Sequence, residues 1–365
     1  MSTDTAALTA REDLAAPVVD SHRLRRHVLT LGLIIIVVVA LITLVPGLAS
    51  LRSRFAHGNA AWLTLGAGLK VLSAFCYVAV FRSVFCRRMS WRLSTEIGLS
   101  ELGANAVIPT GGAGGLALGA WALHRAGMDG GRIARRSVAF FFLTSVPNVL
   151  GVIVLGLGLA AGAFTGRAGL GLTLVPAIVA TAAVVATIAG GRWAEALEQR
   201  YAARSGASSR VARLLRAVSG GVAEALALLR ARDPVLLFGL AGYLAFDVMI
   251  LWATFHAFGS APPLAIVWIG YLIGELGGLI PVPGGIGGVD LGLVGTLVLY
   301  HVPLTSATAA VLAYRAIALL VPVVLGSVAF ALLRRSLARE AFAISDCEPG
   351  GQVEVIGRGT VRLTV

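Results

Sequence analysis

Long uncharged apolar runs constrain this chain more than any other feature. A bilayer span needs about 20 apolar residues, and several runs approach or exceed that length, the first from Val28 to Val45. Only 13% of residues are charged and 57% are hydrophobic, against about 25% charged in soluble domains. That balance excludes a soluble globular protein and, because apolar surface is abundant, an intrinsically disordered one. A length of 365 residues would allow two or three soluble domains, but the apolar runs override that prior.

Full spans are expected at 28–45, 60–81, 137–164, 169–190, 234–258 and 306–333. A signal peptide is the rival reading of the first, but its apolar core would be about 7–15 residues. The run is read as a retained helix stopped by Pro46 and Gly47. Stretches 94–123 and 263–300 differ, because "NAVIPTGGAGG" at 105–115 and "LIPVPGGIGG" at 279–288 interrupt them. Proline removes a backbone donor and glycine loosens the turn, so each stretch is expected to form two half-helices that double back.

The charges give the sidedness. Segments 1–27, 82–93, 124–136, 191–233 and 334–365 carry 25 of the 30 basic residues, whereas 259–262 and 301–305 carry none. The positive-inside rule puts the rich set in the cytoplasm. Six full spans then require 94–123 to start and end inside, and 263–300 to start and end outside. Both behave as re-entrant hairpins, although charge alone does not separate a deep hairpin from two short spans.

The two interrupted stretches also resemble each other. "ELGANAVIPTGGAGG" from Glu101 matches "ELGGLIPVPGGIGG" from Glu275, and "VPNVLG" at 146–151 matches "VPVVLG" at 321–326. The order and near-equal spacing imply an internal repeat, with three crossings per half inverting the second half. The expected fold is an all-α polytopic membrane protein of two inverted repeats. Its parts are a cytoplasmic tail (1–27), repeat 1 (28–164), repeat 2 (165–333) with a cytoplasmic amphipathic loop (191–233), and a cytoplasmic tail (334–365). Broken helices near the midplane are a transporter device; glycine-mediated packing of ordinary helices is the plainer alternative.

The segment 280–326 resembles the signature of the lysylphosphatidylglycerol synthase transmembrane-region family. It carries a Pro-x-Pro-Gly-Gly loop (Pro281, Pro283, Gly284, Gly285), an acidic residue (Asp290, more usually Glu), a Tyr-Arg pair (Tyr314, Arg315), and Pro322 before Gly326. The resemblance covers roughly 28–335 and implies a bacterial inner-membrane protein linked to lipid translocation. The namesake enzymes add a cytosolic aminoacyl-transferase domain. Only 32 residues follow Leu333, so aminoacyl transfer is not expected.

Ionisable side chains inside lipid cost about 3 kcal/mol or more and tend to face a cavity or a partner. Lys70, Glu101, Asp247, Glu275, Asp290 and Arg315 are the candidates. Lys70, the only lysine, and Asp247 lie mid-helix in corresponding spans, so a pair across the repeats is one reading and separate neighbours the other. Arg315 is the leading substrate residue, because guanidinium grips phosphate through a planar fork; an ion pair with Asp290 or Glu275 is the structural alternative. Backbone N–H groups after Gly111, Gly112, Gly284 and Gly285 would add positive dipole ends. Glu101 and Glu275 head matching hairpins, where either could instead satisfy its own turn. Asn105 and Asn148 are read as helix-packing hydrogen bonders.

Val211, Leu214, Leu215, Val218, Val222, Leu226 and Leu229 recur at helical spacing among arginines, as in an amphipathic helix lying on anionic lipid. Aromatic interleaving is missing, so no nucleic-acid partner is expected. Residues 353–365 alternate like a small β-hairpin. Cys76, Cys86 and Cys347 are read as inert thiols; no metal site and no cofactor is expected. The function expected is translocation of an anionic phospholipid or lipid-linked precursor, without enzymatic activity. The rivals are a proton-coupled carrier of a small solute and a membrane partner of a separately encoded lipid-modifying enzyme.

Overall fold

A computed structural model describes residues 58–107, 113–165, 169–205, 210–259, 261–276, 288–337, 353–356 and 360–363. The expected first span and Gly111, Gly112, Gly284 and Gly285 lie outside the described residues. The described chain runs through α1 (Ala60–Phe85), α2 (Trp91–Val107), α3 (Ala113–Arg125), α4 (Gly130–Ala160), α5 (Leu170–Ser205) and α6 (Arg210–Arg230). It continues through α7 (Pro234–Ala257), α8 (Leu264–Gly274), α9 (Gly288–Leu299) and α10 (Leu304–Leu337). Among the described residues, five helices are long and apolar enough to cross a membrane: α1, α4, the first part of α5, α7 and α10. The protein is therefore a multi-pass membrane protein whose described spans are all α-helical, and the spans expected beyond residue 57 are present.

The surface has the polarity of a membrane protein. Phe141, Leu170, Ile178 and Val185, on α4 and α5, are each more than 60% exposed. In water such a face would be an association patch; against hydrocarbon it is the ordinary outer surface. The interior holds two main apolar clusters. One gathers Phe81, Phe85, Leu93, Leu123, Phe140 and Leu236, and the other Ile250, Leu251, Ile269, Leu293, Leu297 and Val311.

Each interrupted stretch holds two described helices, one on either side of its Pro-Gly segment: α2 ends at Val107 and α3 starts at Ala113, while α8 ends at Gly274 and α9 starts at Gly288. In the first pair the Asn105 side chain accepts a hydrogen bond from the Gly115 N–H at 2.8 Å. A Cβ on Gly119 would stand 2.9 Å from the Glu101 Oε2. Contacts 105 to 115 and 101 to 119 run in opposite directions along the chain, so α2 and α3 are antiparallel. In the second pair Gly274 faces Leu293 and Gly270 faces Leu297, the same antiparallel register. With 11 and 12 residues, α8 and α9 reach only about 17 Å at 1.5 Å per residue, short of a hydrocarbon core of about 30 Å.

The two halves interlock. α1 packs along α7, and α2 packs along α10. Small residues permit the approach: a Cβ on Gly242 would meet the Cys76 Sγ at 2.7 Å, and one on Gly103 would meet the Gly326 Cα at 2.8 Å.

Two segments depart from expectation. α5 runs on past the bilayer-length segment as far as Ser205, so part of 191–233 is helix continuous with the span. α6 is the expected amphipathic helix, but Val222 and Ala225 are buried and it packs on α4 and α5, where lipid contact was expected. Gly221 sits directly over Val138, and Arg136 pairs with Glu224 at 2.6 Å. Those contacts hold the helix against protein. Val353–Ile356 and Thr360–Leu363 form the expected antiparallel pair, β1 and β2.

Candidate functional site

The ionisable residues of the spans converge. Lys70, near the middle of α1, donates to both carboxylate oxygens of Asp247, near the middle of α7, at 2.8 and 3.1 Å. Both are buried, 7% and 5% exposed. The cross-span pairing read from the sequence is thus present. A long side chain meets a short one here because Gly239 and Gly242 let α7 close on Cys76 of α1, two turns from Lys70. Isolated, either charge would be expensive inside the bundle; paired, each neutralises the other.

Arg315, on α10, pairs its Nε with the Asp290 Oδ1 at 2.7 Å. Asp290 lies in the first turn of α9, the arm that follows the second Pro-Gly segment. Glu275 closes α8 as its C-cap and lies in the electrostatic field of Arg315, Asp247, Lys70 and Asp290. Five charged side chains from α1, α7, α8, α9 and α10 therefore share one neighbourhood. Tyr314 joins them: its hydroxyl faces that of Tyr271 at 3.4 Å, with the rings edge to face at 5.9 Å.

Glu101 stands apart, in the first hairpin. It is buried, 4% exposed, beneath Gly119, and the Tyr77 hydroxyl hydrogen-bonds to it. Tyr77 in turn packs on Tyr243 at 5.6 Å between ring centroids, and Tyr243 is within electrostatic reach of Glu101, Glu275 and Asp247. Tyr77 and Tyr243 are thus packed neighbours beside the Glu101 carboxyl. Asn105 has the helix-packing role expected of it, while Asn148 is exposed.

The tyrosines are what the sequence reading missed, apart from Tyr314. A signal was present: Tyr243 precedes Asp247, and Tyr271 precedes Glu275, by four residues, which places each on one helical face with a carboxylate.

The centre could hold a group that competes for guanidinium or carboxylate. No set of three His, Cys, Asp or Glu side chains suited to a metal occurs among the described residues. Cys76 is a buried free thiol, whereas Cys86 is disulfide-bonded, contrary to the reading of all three cysteines as inert thiols.

No curated protein matches the chain. A family model described as the lysylphosphatidylglycerol synthase TM region matches residues 29–326, which includes both hairpins and every charged residue of the centre. The chain belongs to the lysylphosphatidylglycerol synthase transmembrane-region family.

Proposed function

We propose that the protein moves the head group of an anionic phospholipid, or of a lipid-linked precursor, between leaflets, with no covalent chemistry. The observation that carries this is the Arg315–Asp290 pair beside the broken second hairpin. A planar guanidinium binds carboxylate and phosphate through the same fork. An incoming phosphate would exchange with Asp290 on Arg315, and the released carboxylate would return when the phosphate leaves. Lys70–Asp247 would hold the neighbouring helices in register during the exchange.

On this reading the two halves are inverted repeats, and α2–α3 and α8–α9 are re-entrant hairpins dipping from opposite faces. Supporting it are the recurring order of long helix, short pair and long helix, and the interlocked packing of α1 on α7 and α2 on α10. Rocking of one repeat against the other would switch access. The arginine-rich ends and both termini would face the cytoplasm of a bacterial inner membrane. Lipid is favoured as cargo because the outer walls of α4 and α5 are apolar and open to the bilayer. The partners are then anionic lipids, with a separately encoded lipid-modifying enzyme as the source of a modified head group and no nucleic acid.

A second reading, a proton-coupled carrier of a small solute, draws on the carboxylates Glu101, Asp247, Glu275 and Asp290. One experiment separates them: reconstitution in liposomes with head-group-labelled lipids, comparing the intact chain with Arg315→Ala. The proposal expects faster exchange of anionic than of zwitterionic lipid, lost in Arg315→Ala. Lipid exchange no faster than in protein-free vesicles would leave the solute carrier.

A further inference from the structure

Pro176 lies in the second turn of α5. A helical carbonyl accepts from the N–H four residues on, and proline has no N–H to give. The carbonyl that Pro176 deprives is that of Leu172. The Tyr300 hydroxyl donates to this carbonyl at 2.6 Å. Tyr300 is buried, 4% exposed, and a hydroxyl left without a partner at that depth would be costly. Each group thus supplies what the other lacks. Helix α4 holds the acceptor's side in place. A Cβ on Gly156 would stand 2.5 Å from the Thr173 carbonyl oxygen and 3.0 Å from the Ala177 Cβ, so α4 and α5 meet at backbone distance on either side of Pro176.

Tyr300 directly follows α9 and opens the corner between α9 and α10. That corner is tight. The next residue, His301, has φ +66°, a left-handed conformation that L side chains disfavour. The His301 N–H donates to the Val298 carbonyl and the Val302 N–H to the Leu297 carbonyl, the paired bonds of a Schellman helix end. The Pro303 carbonyl then accepts from the Ser306 and Ala307 N–H groups and starts α10. Asp290 stands ten residues before Tyr300, and Arg315 eleven after Leu304. Those arms are about 15 and 17 Å of helix at 1.5 Å per residue. Their near-equal length is what lets Asp290 and Arg315 meet at 2.7 Å, so the corner sets the register of the pair.

We propose that Tyr300 is a positioning residue for the Arg315–Asp290 pair. Pinned to the Leu172 carbonyl, it fixes the α9–α10 corner on α5 and so holds Asp290 level with the guanidinium. Its importance to function rests on the reading of that pair as the head-group site. Tyr300 lies about three turns from Asp290 along α9 and acts only through the corner. Without the pin the corner can turn, and the pair spends more time apart. Pro176 belongs to the same device, because an N–H in its place would compete with Tyr300 for the Leu172 carbonyl.

The test is the rate at which phenylglyoxal, an arginine-directed dicarbonyl, modifies Arg315 in the full chain, read residue by residue by peptide mass spectrometry. Arg87, whose partner Asp233 belongs to neither α9 nor α10, is the internal control. Tyr300→Phe removes the hydroxyl alone. It should speed modification of Arg315 roughly fivefold, the shift that one net hydrogen bond confers, and leave Arg87 unchanged. Pro176→Ala should speed Arg315 in the same direction and add nothing in the Tyr300→Phe background. Pro176→Ala decides the matter if Tyr300→Phe does not fold. An unchanged Arg315 rate in either folded single variant overturns the proposal. So does equal acceleration of Arg315 and Arg87, which would mean general loosening, or a full further effect of Pro176→Ala on top of Tyr300→Phe. Reactivity is read without lipid, so the outcome is independent of whether Arg315→Ala abolishes lipid exchange.

Discussion

Lys70 and Asp247 show how much one residue pair can reveal before coordinates exist. Each is a lone charge near the middle of an apolar helix, and burial without a partner is costly enough that pairing is the cheap solution. Their 2.8 Å contact makes a specific prediction. Lys70→Met should destabilise the folded protein by about 3–5 kcal/mol, because it strands a buried carboxylate, whereas Lys70→Met with Asp247→Leu should recover most of that loss. Unfolding in detergent by denaturant checks it; a double variant as unstable as the single would mean the two charges are not coupled. Arg315 was equally legible as a charge, but its choice of Asp290 over Glu275 was not. Both acids flank the same Pro-Gly segment, and only the geometry of α9 brings Asp290 to the guanidinium. The tyrosine hydroxyls escaped notice because a tyrosine inside an apolar run is usually core, and its role depends on which helix it faces.

At the scale of elements, the hairpins were the most legible part. Proline and glycine act locally, so their effect on a helix can be read without knowing its neighbours. α6 was legible as an amphipathic helix, but the burial of Val222 and Ala225 against protein was not, since an amphipathic face does not say whether protein or lipid covers it. Gly220 and Gly221 were the missed signal, as they open a flat strip on which α4 can lie. The crossing of α2 and α10 depends on another such strip. Gly103→Ala should cost about 1–3 kcal/mol through overpacking, because the new methyl would stand 2.8 Å from the Gly326 Cα and 2.9 Å from the Pro322 carbonyl, both backbone atoms. Gly68→Ala is the control: no neighbour lies within 4 Å, and alanine in a helix interior gains up to about 1 kcal/mol. Equal effects of the two substitutions, measured by thermal unfolding, would remove the case for a close crossing.

The whole molecule combines a greasy exterior with charge concentrated where two short helices meet long ones. Five charged residues, drawn from segments far apart in sequence, are useful together only if the second hairpin stops inside the bilayer and does not pass through it. Length supports that placement, since neither α8 nor α9 reaches across a hydrocarbon core. Depth can be measured directly. Gly114→Cys and Gly288→Cys would each be made the lone cysteine, with Cys76, Cys86 and Cys347 replaced by serine. Each is then spin-labelled, and its collision rates with oxygen and with a water-soluble nickel chelate are compared in lipid vesicles. The account predicts oxygen-dominated collisions at both sites, as for a label well below the head groups. Nickel-dominated collisions at both, as in a surface loop, would contradict it.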